Sequence, residues 1–228
     1  FTYKTFFCHR IYVILYRRFM QEINLIDIIF SIGVLIMSVV VHEMSHGYAA
    51  FMLGDSTAKY AGRLTLNPIK HLDFFGSFIV PLLSYSLGGV IFGWAKPVPY
   101  NPYNLKNQKW GAGLVGVAGP LSNFLIALIF GLIIRSYSYL TFLPPSFFEI
   151  ASLIVFINIL LAVFNMVPIP PLDGSKVLFA LLPYKWHNIQ MFLERYGLIL
   201  VVIFIFFLFR VILPLVYILF RAITGIGF

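Results

Sequence analysis

His42-Glu43-Met44-Ser45-His46 carries the densest chemistry in the sequence. Histidines four residues apart share one helix face, so both can ligate one metal ion. The glutamate beside the first can then act as base on a water activated by that metal. The setting is unusual for this pattern. Ile28 to Val41 run into it as an almost unbroken apolar segment, and Gly47 to Leu53 leave it the same way. Polar side chains are costly inside a membrane-buried helix, and by default they mark a functional site there. The plainer reading is a polar pair hydrogen-bonding between helices, and the acidic candidates downstream weigh against it.

Two histidines do not complete a catalytic zinc site, which usually takes three protein ligands and keeps one position open. The chain offers only 8 acidic residues. Asp173 is the best placed of them, because it follows an apolar run and then Pro168, Pro170 and Pro171. A segment broken in that way can turn a carboxylate inward. Asp73 and Glu149 also lie near the ends of apolar segments but lack that setting. Asp173 is equally suited to cap the helix that starts at Gly174-Ser175-Lys176, and the two roles are compatible. Asn165, near the end of the same apolar run, could cap a helix C-terminus or bond between helices.

The elements that must position these residues follow from composition. The chain has 228 residues, 61% of them hydrophobic and 11% charged, with a mean hydropathy of +0.94. That excludes an ordinary water-soluble domain and fits a polytopic membrane protein. The net charge of +8 is spread over the connections between apolar segments. It reads as membrane-surface anchoring, not as a nucleic-acid patch. Cys8 is the single cysteine, which excludes an internal disulfide and a cysteine-rich metal site. Residues 1–19 read as a basic, aromatic extension ahead of Met20, and 20–228 as one integral-membrane domain.

The first spanning helix is expected from about Ile23 to Leu53. Gly54 to His71 is polar and glycine-punctuated, as a loop or short strands would be. Further apolar stretches cover Phe74 to Phe92, Ala112 to Ile134, Phe147 to Val167, and Leu198 to Phe220 with a kink at Pro214. Between the second and third lies Gly93 to Pro102, whose three prolines forbid a helix. Extended chain there is tolerated only if it is buried or lines a wet cavity, and its edge could hold a peptide as an added strand. The expected fold class is a membrane all-α bundle of about five to six membrane segments with a short extended/β re-entrant element. Flanking charges place the start of the domain outside and the histidine pair near the cytoplasmic face. The small residues before Asn123 read as close helix packing, and His71 and Asp73 as loop anchors.

Taken together, the spaced motifs resemble the site-2 protease family of intramembrane zinc metalloproteases. The resemblance lies in His42-Glu43-x-x-His46, in Asn165 eight residues before Asp173-Gly174, and in Gly119-Pro120 followed by Asn123. Gly93 to Pro99, and Asn67-Pro68 with His71, resemble a compact branch without PDZ or CBS domains. The likeness covers roughly residues 25–185. It implies Zn2+ held by His42, His46 and Asp173, with Glu43 as catalytic base and Asn165 holding the substrate carbonyl or its oxyanion. It further implies an intramembrane endopeptidase that cuts within or near a single-pass transmembrane segment, in a prokaryotic cell membrane. The competing class is a catalytically inactive membrane metal-binding protein or transporter. Transporters usually show internal repeats, and this sequence has none.

Overall fold

Backbone polar groups in lipid must be satisfied within the protein, and a helix does this inside one segment. The apolar runs behave accordingly. The computed structural model describes residues 25–73, 75–79, 95–140, 142–207 and 209–226. The helices are α1 (Leu25–Met52), α2 (Thr57–Tyr60), α3 (Gln108–Arg135), α4 (Pro145–Asn165), α5 (Asp173–Leu181), α6 (His187–Phe207) and α7 (Phe209–Thr224). Among the described residues, four stretches are long and apolar enough to cross a membrane: Ile29–Met52, Gln108–Arg135, Pro145–Asn165 and His187–Ile205. A shorter apolar helix covers Val211–Thr224. The protein is a membrane all-α bundle, and among the described residues there is no strand.

Local chemistry sets the helix ends. The Asn107 side chain accepts from the Trp110 N–H at 3.0 Å and caps α3. Arg135 closes the same helix, where a cation favours the dipole. Pro145 opens α4 at a position that has no use for an N–H.

α3 is the central element and packs against α1, α4, α5 and α7. Small residues let it approach α5 closely. A Cβ on Gly113 would lie 2.7 Å from the Ala180 side chain, and one on Gly116 would lie 2.9 Å from that of Lys176. In a bilayer such close packing, not hydrophobic expulsion, holds helices together. Away from α5, Ala127 and Ile134 of α3 meet Phe148, Val155 and Ile159 of α4, with Phe204, Val216 and Phe220 completing the cluster. Large apolar side chains left outside, such as Leu198, Ile199 and Val202 on α6, face the surroundings as lipid-contacting residues do.

One expectation needs correction. Gly54 to His71 forms no strands; it folds into α2 and a 3-10 turn at Pro68–His71. Side chains explain this, because the Asn67 carboxamide caps the 3-10 turn and Asp55 accepts from the Thr57 N–H. Such local bonds compete with strand pairing. The apolar run from Leu198 to Phe220 is covered by α6 and α7 on either side of residue 208, which lies outside the described residues, and Pro214 lies inside α7. Of the proline-rich stretch, 95–100 is extended chain as expected, without strand pairing. Its Lys96 N–H donates to the His71 carbonyl at 2.9 Å. The stretch read as spanning or re-entering at 74–92 lies outside the described residues, apart from a π-helical turn at Phe75–Ile79.

Candidate metal centre

His42 and His46 sit one turn apart on α1, with ring centroids 4.7 Å apart and planes at 88°. α5 brings Asp173 to them. Its Oδ2 is 3.0 Å from each Nε2, and the two Nε2 atoms are 3.1 Å apart. All three side chains are buried. The approach of Asp173 depends on the turn between α4 and α5. A Cβ on Gly174 would lie 2.2 Å from the Met166 carbonyl oxygen, so only glycine lets the chain double back there.

The other ring nitrogens decide what this cluster can hold. His46 Nδ1 is 2.6 Å from the Val115 carbonyl, which can only accept, so that Nδ1 carries the proton. His42 Nδ1 lies 2.6 Å from Asn123 Oδ1, another acceptor. Both Nε2 lone pairs then face each other and a carboxylate oxygen. A proton on one Nε2 satisfies one contact and leaves the remaining atom facing an acceptor. A single cation satisfies all three. Ring N–H groups anchored on carbonyl oxygens are the usual support for metal-ligating histidines. The space fits as well: a Cβ on Gly119 would fall 2.5 and 2.6 Å from the two Nε2 atoms. The three residues could hold one metal ion, and two imidazoles with a carboxylate suit zinc.

Asp173 engages the cluster through one oxygen. Its other oxygen, Oδ1, accepts from Lys176 Nζ at 2.9 Å, and that ammonium also sits 5.6 Å from the Tyr100 ring centroid. The helix-capping role expected of Asp173 is not found. It is the first residue of α5, and Leu172 precedes it as a cap without a side-chain bond.

Glu43 lies beside His42 and points at the extended segment, where its Oε2 accepts from the Val98 N–H at 2.9 Å. That segment is pressed onto α1, since a Cβ on Gly47 would meet the Val98 side chain at 2.9 Å. Asn165 is not brought into the cluster. It ends α4, and its Nδ2 donates to its own helix at the Leu161 carbonyl, 3.0 Å away. His71 and Asp73 anchor loops, through the Thr65 carbonyl and the Gly76 N–H respectively.

Asn123 does more than pack, since it holds His42. Asn158, Ser38 and Lys176 were not singled out as site residues from the sequence. A signal for each was present. Ser38 lies one turn before His42, Asn158 lies two turns before Asn165, and Lys176 lies one turn after Asp173. Isolated polar residues in apolar helices are seldom idle.

The profile of peptidase family M50 matches residues 30–143 and 143–209. Similar curated proteins bear the name "Putative zinc metalloprotease". YwhC of Bacillus subtilis is 38% identical over 170 residues, covering 72% of this chain and 74% of that protein. MJ0611 of Methanocaldococcus jannaschii is 34% identical over 169 residues, covering 69% and 74%. Rip2 of Mycolicibacterium smegmatis is 28% identical over 171 residues, covering 74% of this chain but 63% of its own length. No solved structure matches significantly.

Proposed function

The chain belongs to peptidase family M50, and from that premise we propose that it is an intramembrane zinc endopeptidase. Its substrates are membrane proteins, cut within or near a transmembrane segment. One observation carries this reading: two imidazole nitrogens and a carboxylate oxygen converge at a buried point among helices built to cross a bilayer.

In this reading His42, His46 and Asp173 hold zinc. Bound zinc supplies Lewis acidity, bringing the pKa of a coordinated water to about 7 and polarising a carbonyl. Lys176 occupies Oδ1 of Asp173 and so leaves Oδ2 as the ligand atom. Glu43 takes the proton from the attacking water and delivers it to the amide nitrogen as the C–N bond breaks. The Val98 N–H fixes where that carboxylate points. Asn165 exchanges its bond to the Leu161 carbonyl for one to the substrate carbonyl oxygen. Removing a donor of that kind typically costs ~10²–10³ in rate.

A peptide bond in a membrane helix is shielded by its own helical hydrogen bonds, so the substrate must be extended before attack. The 95–100 segment lies beside Glu43 and offers a place for that extended chain. Its donors are largely committed. The Lys96 and Val98 N–H groups are bonded internally, and Pro97 and Pro99 have none. A strand laid alongside is therefore held mainly by the segment's carbonyls, which accept from the substrate's N–H groups.

Quantitative proteomics of membranes carrying wild-type protein or Glu43→Gln tests the proposal. Glutamine is nearly isosteric but cannot take the proton. Fragments with new termini inside or beside transmembrane segments are expected with wild type alone. The same fragments with Glu43→Gln would remove Glu43 as base.

A further inference from the structure

The hydrogen bonds behind His42 form a chain whose direction can be read. Asn158 lies in the middle of α4 and is fully buried. Its Nδ2 is 2.9 Å from the Ile154 carbonyl and 2.9 Å from Ser38 Oγ. A backbone carbonyl only accepts, so the amide nitrogen must face it, and Oδ1 must face Asn123. Asn123 in turn presents its Nδ2 to that oxygen at 2.7 Å, with the Ser38 carbonyl accepting as well at 3.2 Å. Its own Oδ1 is thereby turned onto His42 Nδ1 at 2.6 Å.

The two histidines differ in one respect. His46 leans on a backbone carbonyl, which has a fixed sense. His42 leans on a side-chain amide, which could rotate by half a turn and exchange acceptor for donor. A rotated Asn123 would aim N–H groups at His42 Nδ1. The imidazole proton would then move to Nε2, where the metal belongs. Asn158 removes this ambiguity together with the Ser38 carbonyl, because only one orientation of Asn123 bonds to both, and Asn158 makes the shorter of the two bonds. In a helix surrounded by apolar groups, water offers little to replace the lost bonds.

We infer that Asn158 is a positioning residue for the metal centre: acting through Asn123, it fixes the ring tautomer of His42 and keeps Nε2 bare for the metal. This rests on the reading of His42 as a zinc ligand. The same contacts also tie α1, α3 and α4 together, and the test separates the two roles.

Zinc affinity is measured by chelator competition on the purified full chain in detergent, for wild type, Asn158→Leu, Asn123→Leu and the double variant. Leucine keeps the shape of asparagine and removes both ends of the relay. Asn158→Leu is expected to weaken zinc binding about tenfold or more, the range for groups that orient metal ligands. In the Asn123→Leu background the same change is expected to add nothing, because the relay is already cut. Wild-type affinity in Asn158→Leu, or losses that multiply in the double variant, would overturn the inference.

A second measurement needs neither a folded variant of Asn158 nor a metal. In metal-free wild-type protein labelled with 15N-histidine, the His42 signals are those missing from His42→Gln. Their Nδ1 is expected to carry a proton, and a bare Nδ1 would overturn the relay. Failure of wild-type protein to bind zinc would overturn the zinc reading alone, and the Nδ1 proton would still decide the relay.

Discussion

Gly119 has no side chain, yet it is the sharpest single-residue probe of the metal centre. A methyl group there would fall within 2.6 Å of both Nε2 atoms, inside the volume a bound ion and its ligands need. Gly119→Ala is therefore expected to fold, since alanine is the best helix former, and to lose most of its zinc. Helicity by circular dichroism and metal content by mass spectrometry check this together. Normal zinc content in a folded Gly119→Ala would place the metal elsewhere. At this scale the sequence was legible where ligand type and local spacing speak for themselves. His42, Glu43 and His46 are neighbours on one turn, and Asp173 was singled out by the prolines before it. Asn158 and Lys176 were harder to see, because their meaning lies in partners on other helices that no periodicity reveals. Asn165 shows the opposite case. Its spacing from Asp173 marks it, while its amide is turned back onto Leu161.

Asp55 is the main fastening between the end of α1 and the segment that follows the extended chain. Its carboxylate accepts from the Thr57 N–H at 3.1 Å and the Thr57 hydroxyl at 2.5 Å. It also accepts from the Asn101 N–H at 2.6 Å and from Asn104 Nδ2 at 2.9 Å. Burial opposes the charge, but these four bonds outweigh it and hold the carboxyl below its ordinary value. A lowered folded value gives stability that is fully present above the unfolded pKa of about 3.9 and is lost as pH falls through the folded value. Wild type is expected to be more stable than Asp55→Asn at neutral pH, by roughly 1–3 kcal/mol for bonds to a buried charged group. The gap should narrow below about pH 4. Thermal unfolding of both proteins in detergent from neutral to acid pH measures it, and a gap independent of pH would contradict the account. Asp55 also shows why the 54–71 stretch, expected as a loop or short strands, does not take the strand alternative. Glycines and polar residues signal a break in the membrane run, but they do not say that Asp55 closes on Thr57 and Asn67 on Ile69, the local bonds that select turns over strands. Long apolar runs such as 112–134 and 147–167 were read to within a few residues, because length and composition alone select a spanning helix.

In the proposed reading the molecule as a whole places a hydrolytic centre where water is scarce, and its parts answer that constraint together. α1 and α5 bring together the three atoms that could hold the metal. α3 comes close enough to support them because it is glycine where it meets α5 and the histidines. The proline-bearing extended segment lies against α1 beside Glu43. The fold class could be read from hydropathy, whereas the close approach of α3 required knowing which helices are neighbours. The account stands or falls on the metal. Zinc per chain, measured on purified wild type, Glu43→Gln, His46→Ala and Asp173→Ala, tests it most directly. About one zinc per chain is expected in wild type and in Glu43→Gln, and strongly reduced zinc in both ligand variants. Full occupancy in both His46→Ala and Asp173→Ala would contradict the assignment of the centre.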